Sequence, residues 1–464
     1  MRRSLFAALL FNLGVLALPQ SASALDVFST EKRVETGPFA QFHAAACPKD
    51  RIQSPLTLAD VVDLSLCNNP RTRSLWAASR AQAAQLGVSM SAYLPTLSSP
   101  VNYSRSDGVN NDGSPRATGQ TLSVGLTLSY LLFDFGGRSA SVENAKQLLV
   151  AANASRDASL QDIYYNAVLS YYNVLSSRAS VDAARAAETS AQKSLDAAET
   201  RYQVGTGTPA ERLQARTALS QATLDRIRAA GVAASAQGTL ANVMGFDAAQ
   251  SFTLAPAADT APDEAAERDI GRMINDARQS RPDLQAAEAQ IKAAEANVTA
   301  VRSNALPSVN LNGSMARNRF RDGGLDTSST SNSVGVSITF PWFRGFGDVY
   351  RIRAAQAQLE QRVAERDLMA NQIALDVWNT YQTLLTNSQA LRAANDLLAS
   401  AEQSEKVALG RYQAGVGSIL DVLTAQSALA SARQQRISAL YTFQSSRFAL
   451  AQAMGQLDLT LVGN

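Results

Sequence analysis

Apolar and polar side chains alternate strictly along short stretches of the chain. In Thr121–Tyr130, Leu122, Val124, Leu126, Leu128 and Tyr130 fall on one side, and Thr121, Ser123, Gly125, Thr127 and Ser129 on the other. Ser333–Trp342 sets Val334, Val336, Ile338, Phe340 and Trp342 against Ser333, Gly335, Ser337 and Thr339. Ser308–Met315 repeats the alternation with Val309, Leu311 and Met315, and Leu97–Arg105 does so more weakly. A period of two predicts four strands, each with one apolar face. Small polar residues opposite that face give the pattern of an outer-membrane barrel strand, and a water-soluble sandwich has the same period. Tyr130, Phe133, Phe135, Phe340, Trp342 and Phe343 gather at one strand end, as an interfacial aromatic girdle does. Polar stretches over 106–119 and 317–331 occupy the other end and are expected to be long loops.

Most of the remaining chain carries helical patterning. Arg138 to Val204 is a run of 67 residues without Pro or Gly, rich in Ala, Gln, Glu, Arg and Leu. At 1.5 Å per residue it predicts a helix about 100 Å long. A counterpart runs from Asp348 to Ala414, interrupted only by Gly410. Helices are also predicted over Thr57–Tyr93 and Ile270–Ala305, each ended by a Leu-Pro pair, and over Thr208–Met244 and Ser418–Met454. Two short helices laid end to end match one long one, which suggests antiparallel rods. The spacing of Leu423, Ala430 and Ile437 fits coiled-coil contact.

These elements occur twice. Asn69-Pro70 and Leu94-Pro95 reappear 212 residues later as Arg281-Pro282 and Leu306-Pro307. RYQVGTG at 201–207 and LANVMG at 240–245 reappear 210 residues later as RYQAGVG and LAQAMG. Four anchors in one order indicate a tandem duplication. The expected divisions are a signal peptide at 1–24, an N-terminal periplasmic extension at 25–56 and a first repeat at 57–245. An equatorial linker at 246–269, a second repeat at 270–456 and a tail at 457–464 follow.

Arg2 and Arg3, an apolar run from Leu5 to Leu18 and Ala22-Ser23-Ala24 form a secretory signal pattern. The formal charge of +2 is those two arginines, so the mature chain is neutral. That balance gives no electrostatic footprint for nucleic acid. No later stretch reaches eighteen consecutive apolar residues, so a membrane role would have to use strands. One His and two Cys leave no metal cluster or nucleophile–base set to build an enzyme on, and no cofactor is expected. Cys47 and Cys67 are read as a structural disulfide worth about 3 kcal/mol, with two unpaired thiols as the alternative. Four strands cannot close a barrel, because the smallest closed ones use eight, so copies must share one as a dimer or trimer.

The duplicated layout, the signal peptide, NNP near the first helix, LLFDFGGR after the second strand, and the paired breaks RYQVGTG and RYQAGVGSILDVLTAQ resemble the TolC family of outer-membrane export ducts. The resemblance covers nearly the whole mature chain. It implies a mainly α fold with a transmembrane β portion: a homotrimer sharing a twelve-stranded barrel, four strands per chain, continued by a coiled-coil periplasmic tunnel. Within the family, Cys47-Pro48, LTLADVVDLSLCNNP and the lack of a lipobox Cys resemble the ducts of type I secretion, such as exporters of adenylate cyclase toxin.

The same resemblance implies site residues. Val204, Gly205 and Gly207, with Ala414, Gly415 and Gly417, stand at tips where a membrane-fusion adaptor docks. Asp421 matches an entrance carboxylate, and three copies would form a ring that favours cations and is blocked by divalent or trivalent ones. Thr424 replaces the second carboxylate, which implies weaker block. Tyr412 and Glu211 hold the positions of a latch that keeps the entrance closed, and Gly417 stands where some members carry a reinforcing Arg. A solvated helix charge is the plainer reading of Asp421 and Glu211, and packing against the adjacent rod that of Tyr412 and Tyr202. The expected function is a passive duct engaged by an ABC transporter and an adaptor to export a protein through outer-membrane lipid. The alternatives are drug efflux with a proton-driven pump, or a pore-free periplasmic coiled coil.

Overall fold

The computed structural model describes residues 26–34, 37–42, 55–107, 119–256, 269–322 and 325–457. The signal segment, Cys47, most of the 106–119 stretch, the second half of the linker and all but Leu457 of the tail lie outside the described residues. In chain order the elements are α1 (Leu58–Asn68), α2 (Pro70–Ser91), β1 (Thr96–Ser98), β2 (Val101–Ser106) and β3 (Gly119–Phe133). Then come α3 (Gly137–Gln203), α4 (Pro209–Val243), α5 (Ile270–Ser280), α6 (Pro282–Ser303), β4 (Ser308–Asp322), β5 (Leu325–Thr339), α7 (Gly347–Gln413) and α8 (Ile419–Ala453). The chain divides into two compact units. One holds the strands and the adjoining ends of α2, α3, α6 and α7, and the other holds the rest of the helices. Among the described residues no helix is long and apolar enough to cross a membrane.

The strand unit is an antiparallel sheet. β1 and β2 both pair with β3, β3 with β4 and β4 with β5. The first strand is therefore one strand broken at Ser99-Pro100, where proline has no N–H to donate. The break is held by the Gly125 amide donating to the Pro100 carbonyl at 2.9 Å and by Ser99 Oγ donating to the Gly125 carbonyl at 2.9 Å. β4 and β5 are longer than the alternation predicts. Their apolar residues stop near Met315 and Val334, but pairing continues to Asp322↔Leu325 through the charged stretch read as a loop. Backbone hydrogen bonding carries the strands on after the apolar face has ended.

In the helical unit the two predicted leading helices are each two helices. Asn69 (φ −62°, ψ 125°) and Arg281 (φ −68°, ψ 123°) are extended because the following prolines forbid the α conformation there. Helix lengths then recur in pairs of 11, 22, 67 and 35 residues. Antiparallel neighbours are tied by Arg226–Glu188 at 2.6 Å between α4 and α3, and by Arg436 Nε donating to Asn395 Oδ1 at 3.1 Å between α8 and α7. One core gathers Val61, Val62 and Leu66 of α1, Leu160–Leu175 side chains of α3 and Leu240 and Met244 at the end of α4. The other gathers Met273 and Ala277 of α5, Ile373, Val377 and Tyr381 of α7, and Leu450 and Met454 at the end of α8. Phe252 and Leu254 of the predicted linker are buried in the first core, where Leu56 bridges Leu254.

Each proline break docks on the end of a later helix. Asn69 Nδ2 donates to the Val243 carbonyl at 3.2 Å, and Arg281 Nη1 to the Ala453 carbonyl at 3.3 Å. These side chains satisfy helix-terminal carbonyls that otherwise lack partners. Gly245 makes the approach possible. Its φ is +81°, and a Cβ there would lie 2.6 Å from the Asn68 carbonyl oxygen. Gly245→Ala is expected to cost about 2 kcal/mol or more, from left-handed backbone strain and a clash with rigid main chain. Thermal denaturation would show it, and an unchanged midpoint would refute the docking argument.

Candidate functional site

The two conspicuous Gly-containing breaks are helix ends of one design. At the first, Thr206 N–H donates to the Arg201 carbonyl at 2.9 Å and Gly205 N–H to that of Tyr202 at 3.1 Å. At the second, Val416 N–H donates to Arg411 at 3.0 Å and Gly415 N–H to Tyr412 at 3.1 Å. This paired pattern requires a left-handed residue, and Gly205 (φ +80°) and Gly415 (φ +77°) supply it. Two residues on, a Cβ at Gly207 or Gly417 would meet backbone nitrogen of Tyr202 or Tyr412 at 3.0 Å. Glycine at 417 is thus set by the turn itself. Val204, Gly205, Ala414, Gly415 and Val416 are exposed, whereas Gly207 and Gly417 are partly covered.

The helices after the breaks start on capping residues. Thr208 Oγ1 accepts from Glu211 N–H at 3.2 Å. Ser418 forms a full capping box: its hydroxyl accepts from the first turn, and Asp421 Oδ2 accepts from the Ser418 amide at 3.2 Å. Asp421 therefore has a helix-starting role besides the one the resemblance implies. Asp421 and Thr424 are both exposed and line one groove between α7 and α8 with Gln403, Ser404, Val407 and Arg411. An arginine thus shares the groove with Asp421, the only carboxylate that lines it among the described residues.

Tyr412 is 2% exposed and packs on Ile419 and Val422 of α8, with Ala197 of α3 beside it. The Arg201 guanidinium lies 4.7 Å over its ring, and Arg201 Nη1 donates to the Tyr412 carbonyl at 3.0 Å. Burial pushes the Tyr412 phenol up, Arg201 opposes the shift, and the Glu211 carboxylate adds to it. Tyr412 and Glu211 are therefore neighbours, but the latch bond between them is not formed. The Tyr412 hydroxyl and Glu211 Oε2 are both buried without a hydrogen-bond partner among the described residues. Arg201 is the contact that sequence reasoning missed. It occupies the position of Arg411 in the repeated RY dipeptide, which was a visible signal, but nothing in the pattern says which of the two tyrosines it covers. Tyr202 is covered instead by Arg212, at 4.7 Å.

Cys67 is disulfide-bonded, and its expected partner Cys47 lies outside the described residues.

The sheet supplies the second part of the site. One face carries Leu97, Val124, Leu126, Leu128, Tyr130, Val309, Leu311, Met315, Val334, Val336 and Ile338, in register across the strands. The other is a ladder of small polar groups: Ser129 Oγ meets Asn312 at 3.4 Å, Asn312 Nδ2 donates to Ser337 Oγ at 3.0 Å, and Ser314 and Ser333 hydroxyls bond at 2.8 Å. Phe340 and Trp342 stack at 5.5 Å and Phe133 meets Phe135 edge-on at 4.8 Å, all at the strand end nearest the helices. An apolar face bounded by aromatics, backed by a water-compatible one, is what a lipid-contacting barrel wall needs.

The sequence profile of the family described as outer membrane efflux protein matches residues 61–246 and 273–456. The chain belongs to this family. It is 31% identical over 419 residues to protein CyaE of Bordetella pertussis, covering 89% of this chain and 87% of that one. It is 26% identical over 408 residues to the outer membrane efflux protein BepC of Brucella suis, covering 88% and 87%. Among solved structures it superposes on CusC, described as forming a transmembrane channel, with a TM-score of 0.76 at 22% identity, covering 86% of this chain and 92% of that one. This outer membrane efflux protein is thus a TolC-type outer-membrane channel protein with a periplasmic tunnel portion.

Proposed function

We propose that three copies form the outer-membrane duct of a type I secretion system, engaged by an inner-membrane ABC transporter and a periplasmic adaptor to export a protein. The sheet carries this reading. Its outer strands, β1/β2 and β5, each have one edge with no strand partner among the described residues. Unpaired backbone groups are too costly in hydrocarbon, so neighbouring copies must complete the ladder, and three copies of four strands make twelve. The matched lengths of the helices and the double match of the family profile support the tandem repeat. Resemblance to type I ducts and 31% identity to CyaE favour protein cargo. The description of BepC as an efflux protein supports the second reading, drug efflux with a proton-driven pump. Cys67 pairs with Cys47 in this proposal, the exposed tips at 204–205 and 414–416 receive the adaptor, and energy comes from the inner membrane.

Single-channel recording of the detergent-extracted protein tests the pore, and a soluble, non-conducting monomer would overturn it. Deletion of the gene should abolish secretion of one protein and leave drug sensitivity unchanged; the reverse outcome would favour efflux. In the same recordings Asp421→Asn is expected to lower cation preference and multivalent block severalfold, because the ring charge goes while the amide oxygen can still cap Ser418. Arg411→Gln should strengthen both by removing the opposing charge from the groove. Unchanged selectivity in both variants would refute the ring.

A further inference from the structure

The apolar face of the sheet ends in arginines. Along β4 the residues on that face run Val309, Leu311, Gly313, Met315 and then Arg317, Arg319 and Arg321. The register places Arg317 beside Val124 and Thr330, Arg319 beside Leu122 and Ser328, and Arg321 beside Gln120 and Asp326. Across β3, Arg105 pairs with Gln120 and Tyr103 with Leu122, so Arg105 joins the same cluster. Asp326 holds both Arg319, through two hydrogen bonds, and Arg321 at 3.0 Å, while Asp107 lies 3.4 Å from Arg105. Arg317 has no carboxylate partner among the described residues. Among the described residues, four arginines against two carboxylates leave an excess of two positive charges here in each copy.

The height of the cluster identifies its surroundings. Ten residues separate Phe340, in the aromatic collar, from Thr330, the partner of Arg317. At about 3.4 Å per residue and a tilt of roughly 40°, that is a rise of about 26 Å, close to the ~25 Å apolar band of an outer-membrane barrel. Arg317 therefore stands where hydrocarbon gives way to headgroups on the side away from the helices. We infer that Arg105, Arg317, Arg319 and Arg321 form a binding surface for the phosphates of an outer-leaflet glycolipid headgroup; this rests on the pore reading above. Guanidinium forks match phosphate oxygens in charge and geometry. Asp326 fixes two of the forks by their inner edges and leaves Arg317 free to bind. Val101 and Val124, in the row of Arg317, and Leu126 and Met315, one row below, face the start of the acyl chains.

The test uses full-length protein in neutral detergent, titrated with lipid A or with lipid A stripped of its phosphates, with bound lipid counted by native mass spectrometry. The wild type should hold intact lipid A about tenfold more tightly than the stripped form. The double variant Arg105→Gln, Arg317→Gln should lose about tenfold for intact lipid A and little for the stripped one. Equal affinity of the wild type for both lipids overturns the inference, whatever the variant does. Displacement of lipid A by millimolar inorganic phosphate would also overturn it, since the site would then read phosphate without the lipid. Planar-bilayer recording separates the two readings: a conducting wild type without phosphate preference defeats this inference alone, and a non-conducting one defeats the pore.

Discussion

Replacing Arg156 by Met is expected to destabilise the helical unit by about 3 kcal/mol, the cost of emptying a buried cation site and leaving the half-buried Asp157 carboxylate without its partner. Arg156 is 2% exposed and Trp76 1%. The guanidinium lies 4.1 Å over the indole ring, and its Nε and Nη2 donate to Asp157 Oδ1 at 3.0 and 2.9 Å. The turn at Gly37 presses on the same pair, since a Cβ there would lie 2.6 Å from Asp157 Oδ2. Burial pushes the Asp157 carboxyl up from 3.8, and Arg156 only partly opposes it. The folded state therefore holds this proton to higher pH than the unfolded state does. Between the two pKa values the folded state binds more protons, so stability falls as pH rises through that window. Without Arg156 the carboxyl rises further and the window widens. The deficit of Arg156→Met should be largest at pH 7 and shrink on acidification toward the carboxylate range. Thermal denaturation followed by circular dichroism at both pH values checks this, and an equal deficit at each would show that lost packing, and not the stranded carboxylate, sets the cost. Arg156→Lys should recover only part, because an ammonium cannot stack on Trp76 and fork to Asp157 at once.

The strands were legible because a period of two leaves a clear trace wherever one face is apolar, as in Thr121–Tyr130. Beyond Met315 the trace vanishes although the ladder persists, since Arg317, Arg319 and Arg321 keep their face and lose only its apolarity. The length that makes β4 and β5 reach past the apolar band therefore has the polar pattern of a loop. The repeat anchors were legible as text before their purpose was. Asn69-Pro70 and LANVMG occur in one repeat because the asparagine caps the helix that Gly245 ends, and Arg281 does the same for α8. The proline in each anchor is itself enough to divide the leading helix, since the pre-proline restriction is local and needs no tertiary context. The tips were legible to the level of the turn, where Gly205 and Gly415 are demanded by the backbone. Side-chain partnership there was not, because Arg201 and Tyr412 are 211 residues apart and only packing of α3 beside α7 brings them together.

That contact carries the largest expected effect on transport. Arg201→Met should raise single-channel conductance severalfold and lengthen the open time, because Arg201 ties the end of α3 to the end of α7. Removing a partly desolvated cation–π contact and a charge-assisted hydrogen bond to the Tyr412 carbonyl costs about 2–4 kcal/mol per chain. In the proposed trimer, a closed arrangement held by this contact would lose roughly three times that, more than the ~5.5 kcal/mol that moves an equilibrium from 99:1 to 1:99. Arg201→Lys keeps the charge but loses the planar stacking, so it should fall between wild type and Arg201→Met. Tyr412→Phe is the discriminating variant. The Tyr412 hydroxyl has no partner among the described residues, so its removal should leave conductance near wild type and slightly stabilise the tip by deleting an unsatisfied buried group. Glu211→Gln should likewise have a small effect, since Glu211 Oε2 has no donor among the described residues to lose. If Tyr412→Phe instead opens the channel more than Arg201→Met does, the closed entrance is held by the tyrosine hydroxyl reaching Glu211. The arginine clamp would then be secondary to a bond that forms only in the assembled duct.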